Sequence, residues 1–211
     1  ILPEKIYHLS GHFRSAESNK PASAYFGFNF YDAQKHLITI ANVNLQAGTE
    51  TLLTSAANPG DQILRLKSAS NWAKPGCIAF NIKAAYQDLP NHDLSGMFTN
   101  VVPRGDAYEV HLRTALKKFY PAGTPVRAHS PWGATLYWIA DNWISGEWEK
   151  YEAFIGGEAK SGSPADQFWP GARYMQIFVQ LGNYNRVPQP GARLWFDDIR
   201  LEEVTISKSF P

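Results

Sequence analysis

Short strand-like runs recur along the whole chain, each set off by turn residues, and no stretch holds a sustained helical period. That pattern restricts the chain to an all-β fold, a sandwich or a barrel. The clearest run is Tyr25-Phe26-Gly27-Phe28-Asn29-Phe30-Tyr31. Its two-residue period puts Phe26, Phe28 and Phe30 on one face and Tyr25, Asn29 and Tyr31 on the other. The turn Asp32-Ala33-Gln34-Lys35 leads into a partner strand predicted over 36–43. Further strands are predicted at 6–14, 77–83, 107–114, 126–130, 134–139, 148–155, 173–181 and 193–204. Between 49 and 72 the turn Asn58-Pro59-Gly60-Asp61 predicts a hairpin insertion, 51–55 pairing with 62–67, with Trp72 as its lid. The segment 84–103 is polar and reads as a long loop, the kind that carries function on a rigid sandwich. No internal repeat is visible, so the expectation is a β-sandwich of two antiparallel sheets, residues 1–211 forming a single domain with the insertion at 49–72.

Composition narrows the function. The net charge is +1 and no basic cluster accompanies the aromatics, which argues against nucleic acid as a partner. No apolar run reaches the ~20 residues that span a bilayer, so no membrane insertion is expected. The lone Cys77 lies in the apolar run Cys77-Ile78-Ala79-Phe80 and reads as a small buried hydrophobe. The 6 His have no zinc-helix spacing, and no nucleophile elbow, phosphate loop or dinucleotide fingerprint appears. The chain begins at Ile1 with no signal peptide, and both ends are read as boundaries of a fragment of a larger protein.

Aromatic residues are 14% of the chain, with 7 Trp, 10 Tyr and 12 Phe, more than a core of this size needs. Rings in surplus suit a sugar. The axial C–H groups of a pyranose stack on a flat ring, and neighbouring polar groups bond the hydroxyls. Candidate ligand-binding residues are Trp132, Trp138, Asn142 and Trp143, then Trp169, then Asn183, Tyr184 and Arg186, and Tyr86 in the long loop. Trp148 and Trp195 fall on strands and are assigned to core packing.

Several motifs carry a resemblance. They are Trp148-Glu149-Lys150-Tyr151, Ile155-Gly156-Gly157, Phe168-Trp169-Pro170-Gly171-Ala172 and the closing run Leu194-Trp195-Phe196-Asp197-Asp198-Ile199-Arg200-Leu201. In this order they resemble the jelly-roll carbohydrate-binding modules of the group that includes families four, nine and twenty-two. Residues 25–204 are also similar to sandwich domains of phage tail and virion-surface proteins, and to accessory modules of polysaccharide-degrading enzymes. The resemblance implies a jelly roll, a non-catalytic module that holds a secreted multimodular enzyme on its polysaccharide, and an extracellular location. Its partners would be a polysaccharide or oligosaccharide and other domains of the parent chain. A structural or adhesive domain of a phage tail or cell surface is the alternative.

In the modules resembled, a carboxylate of the closing strand helps to hold a structural calcium. Adjacent carboxylates point to opposite faces of a regular strand, so one of Asp197 and Asp198 faces inward unless a bulge intervenes. A buried carboxylate needs a partner: Ca2+, with Glu4 or Glu17 as a further ligand, an arginine, or backbone N–H groups. Finally, Glu147-Trp148-Glu149-Lys150-Tyr151-Glu152 resembles the catalytic strand of the jelly-roll glycoside hydrolases of family sixteen. A retaining mechanism on Glu147 and Glu152 needs their carboxyls about 5–5.5 Å apart.

Overall fold

The computed structural model describes residues 1–17, 20–133, 137–139 (backbone only), 143–182 and 187–204. In chain order the strands are β1 (Ile6–Ser15), β2 (Ala22–Tyr31), β3 (Leu37–Ile38), β4 (Thr51–Leu52), β5 (Ile63–Leu66), β6 (Gly76–Phe80), β7 (Leu94–Arg104), β8 (Ala107–Leu112), β9 (Pro125–His129), β10 (Tyr137–Ile139), β11 (Trp143–Ile144), β12 (Glu149–Gly156), β13 (Tyr174–Leu181) and β14 (Leu194–Val204). Among the described residues, helix is confined to α1 (Ile40–Val43) and one 3₁₀ turn at Ala84–Tyr86. Among the described residues no helix is long and apolar enough to cross a membrane.

The fold is all-β, as the turn-punctuated pattern predicts. The chain divides into two compact units: Ile1–Leu37, Thr135–Ala159 and Pro164–Pro211 form the first, and Ile38–Ala134 with Lys160–Ser163 the second. The hairpin insertion expected at 49–72 is therefore only the start of a larger inserted unit. Local turn chemistry marks 49–72, but the ladders that complete the unit join residues far apart in sequence.

The first unit is a sandwich. One sheet runs β12-β1-β14; the other is built on β2, flanked by β13 and by the short strands β3, β10 and β11, its ladders with β10, β11 and β13 being antiparallel. The chain crosses between sheets at β1–β2, β11–β12, β12–β13 and β13–β14. The period read from 25–31 holds: Ala22, Ala24, Phe26, Phe28 and Phe30 are buried. They meet the facing sheet ring to ring, with the Phe13 and Phe26 centroids 4.8 Å apart. Gly11 sits on the inward face of β1, crowded by side chains of its own sheet and by Phe26 of the facing one. A Cβ there would lie 2.5 Å from Ile199 Cδ1 and 2.9 Å from Phe13 Cε2. Gly11→Ala is expected to cost about 1–3 kcal/mol by overpacking, read as a lower urea midpoint at unchanged slope.

The second unit holds one sheet in the order β4-β9-β6-β7-β8-β5. A bridge between Leu53 and Leu66 joins its two ends, with Thr54 N–H donating to Arg65 O and Lys67 N–H to Leu52 O. The sheet thus closes into a small barrel, which removes its exposed edges. Its interior is filled by Leu53, Leu64, Leu66, Ile78, Phe80, Phe98, Val110 and Val126 among others. Trp72 is the lid expected of it: it is buried against Phe98, and its indole N–H donates to Thr49 O. Cys77 is buried, as its apolar context predicts. Two local expectations fail. The partner strand at 36–43 shrinks to β3 and gives way to α1, where Asn42 Oδ1 accepts from the Thr39 N–H. The second half of the 84–103 loop is strand β7, whose polar side chains conceal the pairing that β6 and β8 supply.

Candidate functional site

The outer face of the β2 sheet is set by the same period that builds the core. With Phe26, Phe28 and Phe30 turned inward, Ser23, Tyr25, Gly27, Asn29 and Tyr31 take the opposite face, where Tyr25, Asn29 and Tyr31 are half-buried and Ser23 and Gly27 are buried. The β13 register then places Gln180 beside Tyr25, Phe178 beside Gly27, Gln176 beside Asn29 and Tyr174 beside Tyr31. On the other side of β2, Trp143 stands opposite Ser23 and is 40% exposed. Five rows result, over about 27 Å from Ser23 to Tyr31 at ~3.4 Å per residue.

These rows have a consistent chemistry. Trp143 marks one end and the Tyr31–Tyr174 pair the other, with Tyr25 and Phe178 between. Gly27 contributes no side chain to the middle row and is buried. Amides alternate with the rings. The Tyr31 hydroxyl donates to Gln176 Oε1 at 2.9 Å, which fixes that amide. Among the described residues the side-chain amides of Asn29 and Gln180 have no hydrogen-bond partner. Lys35 Nζ lies 5.6 Å from the Tyr174 ring centre.

The outer face of the β1 sheet differs. Its rows are Phe154–His8–Glu202, Glu152–Ser10–Arg200 and Lys150–His12–Asp197. Its charges satisfy one another: Lys150 Nζ lies 2.6 Å from Glu152 Oε2, and His8 Nε2 lies 2.7 Å from the same oxygen. The Lys150 and His8 contacts hold the Glu152 carboxyl below its ordinary range. At one end Arg14 lies 5.1 Å over the Trp148 ring and stands opposite Trp195. Trp148 and Trp195 are 46% and 48% exposed, which overturns their assignment to the core. Trp195 lies on the edge strand β14, and Trp148 lies just before β12 rather than on it.

The other expected sugar-binding residues scatter. Trp169 is buried, 6% exposed; it packs edge-on against Phe30 and donates its indole N–H to Pro164 O, so it is core and not a binding ring. Trp132 is 66% exposed but belongs to the second unit. Tyr86, also in the second unit, is half-buried with Arg127 5.3 Å from its ring centre. Asn142, Asn183, Tyr184, Arg186 and the Trp138 side chain lie outside the described residues.

The carboxylates do not converge either. The β1–β14 register shifts between Ser10 and His12, and Asp198 takes φ +52° at that bulge. The bulge leaves Asp197 and Asp198 both exposed, so neither is a buried charge in need of a cation. Asp198 Oδ1 instead accepts from Arg200 Nε at 2.6 Å. Glu4 precedes Ile6, which pairs with Val204, whereas Asp197 pairs with His12. Roughly 20 Å of strand therefore separates Ile6, beside which Glu4 lies, from the position of Asp197, too far for the two carboxylates to share an ion. Glu17 is engaged with Arg193 and Lys20. Along β12 the pairing with β1 is uninterrupted, so no bulge turns Glu152 onto the face of Glu149. Glu147 lies in the bend before β12, its N–H donating to Ser145 Oγ.

The second unit holds a buried polar cluster that the sequence reading missed. Arg127 and His129 occupy outward positions of β9 yet are fully buried. Arg127 Nη2 donates to Asp88 Oδ2 at 2.8 Å, and its Nε donates to His129 Nε2 at 3.0 Å. His129 Nδ1 donates to Ala41 O at 2.6 Å. Asn91 bridges Asp88 Oδ2 and Phe80 O. Burial pushes the imidazole down to about 4, and the nearby guanidinium acts in the same direction. The only local signal was an arginine two residues before a histidine in an apolar strand. These groups bond one another in a chain, although Arg127 Nη1 is buried with no partner among the described residues.

Compared with known proteins, the chain matches no family model, and no curated protein or solved structure is detectably similar to it.

Proposed function

We propose that the first unit binds a polysaccharide along the outer face of the β2 sheet, and that the chain is a non-catalytic module that holds a secreted enzyme on its substrate. The observation that carries this reading is one extended face on which two exposed rings, Trp143 and Tyr174, and three half-buried ones lie beside unengaged amides. Trp143, Tyr25, Phe178 and the Tyr31–Tyr174 pair offer stacking surfaces, and Asn29 and Gln180 offer donors and acceptors with no protein partner among the described residues. A neutral sugar chain needs this combination, because stacking supplies the apolar contact and amides replace the water lost from hydroxyls. The charged rows of the β1 sheet suit it less, since their groups are already paired. Binding at each ring is weak, and several rings in line add up along a polymer.

Affinity electrophoresis through a panel of soluble glycans tests this reading. The native chain is expected to be retarded by at least one neutral polysaccharide. Trp143→Ala and Tyr174→Ala each remove a stacking ring, worth about 1–1.5 kcal/mol, so binding should weaken roughly tenfold per variant with unchanged circular dichroism. Retardation of both variants equal to that of the native chain would remove this face as the site. Free migration of the native chain through the whole panel would remove the function.

A further inference from the structure

We infer that the second unit carries a separate site for an acidic saccharide, one that binds a sugar carboxylate on the outer wall of the barrel. The site is a cleft of about 650 Å³ where β5, β8 and β7 lie side by side. That volume falls within the range of small-ligand sites. Its charged lining is Arg65, Lys67, Arg104, Asp106 and Glu109, and Ala107 is among the residues between them. Arg65 pairs in register with Glu109, and Arg104 with Ala107, so the short Ala107 side chain leaves room beside the longer ones.

Glu109 organises the cations. Its Oε1 lies 3.5 Å from Arg65 Nη2 and its Oε2 lies 3.1 Å from Arg104 Nε. The Arg104 contact holds its carboxyl below the ordinary range, so it stays ionised and keeps both guanidinium groups in place. A guanidinium has five N–H donors, and Arg104 spends only its Nε on this contact. Its two Nη groups have no partner among the described residues and form a fork that fits a carboxylate. Lys67, also without an ion pair among the described residues, adds a positive charge on the same wall. Lysine and arginine outnumber acidic residues in this unit, while the first unit has the opposite balance.

The acidic groups in the lining select the class of ligand. Asp106 and Glu109 repel a densely charged phosphate chain. A uronic acid offers one carboxylate for the cations and several hydroxyls that can donate to those same acidic oxygens. This inference borrows only the ligand class from the proposed function, and it uses none of the same residues.

The test is affinity electrophoresis of the full chain in polygalacturonate, in the same polymer after carboxyl reduction, and with a single-stranded oligonucleotide as competitor. Retardation by polygalacturonate that falls as salt rises is expected, together with little retardation by the reduced polymer. Lys67→Ala/Arg104→Ala should weaken the interaction tenfold or more, and Arg104→Lys, which keeps the charge but loses the fork, several-fold. Trp143→Ala should leave it unchanged, which separates this site from the sheet face. The inference is overturned if the native chain ignores polygalacturonate, binds the reduced polymer equally, prefers the oligonucleotide, or is unaffected by both Arg104 variants.

Discussion

Arg127→Met is expected to destabilise the second unit by about 3 kcal/mol, the low end of what breaking a buried ion pair costs. The side chain is fully buried, and its partner Asp88 is 5% exposed. Methionine preserves most of the volume but leaves the Asp88 carboxylate without its cation and His129 Nε2 without a donor. Tyr86 also loses the guanidinium beside its ring. The native arrangement is itself imperfect: Arg127 Nη1 is buried with no partner among the described residues, a desolvation cost that disappears with the side chain. That offset is why the low end is expected. Chemical denaturation checks it, followed by hydrogen exchange at β6 and β9 to separate this unit from the first. Adding Asp88→Asn should recover a large part of the loss, because the stranded charge is gone. A loss below about 1 kcal/mol would mean that water reaches Asp88 freely.

Acidification should act on the same cluster. His129 accepts at Nε2 from Arg127 and donates at Nδ1 to Ala41 O, so the folded protein holds the neutral imidazole. A proton on Nε2 would face an N–H and a positive charge. The folded state therefore binds this proton only near pH 4, against 6.5 for the free side chain. Because the folded value is depressed, the unfolded chain binds the proton first as pH falls. The stability from this group is full above about 6.5 and is lost between there and about 4, amounting to about 3 kcal/mol. Asp88, whose carboxyl also lies below its ordinary range, adds to the loss at still lower pH. Denaturation midpoints for the second unit should fall steadily from pH 6.5 to 4. A flat profile over that interval would contradict the buried neutral histidine.

The sequence disclosed what is local and periodic. The alternation at 25–31 predicts both the inward phenylalanines and the outward Tyr25, Asn29 and Tyr31. The outward set became half of the candidate face. The other half, Gln176, Phe178 and Gln180, was invisible because it depends on which strand pairs with β2. Trp143 was singled out for its polar neighbours and does lie on that face, while Trp169, chosen on similar grounds, is core. A Pro-Gly turn after a tryptophan does not reveal which way the ring points. The closure of the barrel by Leu53 and Leu66, and the burial of Arg127 under distant loops, are long-range events that leave no local mark. The bulge at Asp198 inverted the expected side of one carboxylate, and a single extra residue suffices for that.

Backbone amide chemical-shift mapping during titration with an oligosaccharide drawn from the retarding polysaccharide tests the central claim most directly. Shifts concentrated on β2 and β13, strongest around Gly27, Asn29, Gln176 and Gln180 and extending to Trp143, are the predicted result. Shifts confined to the rows of the β1 sheet or to the barrel, with β2 and β13 silent at saturation, would contradict it.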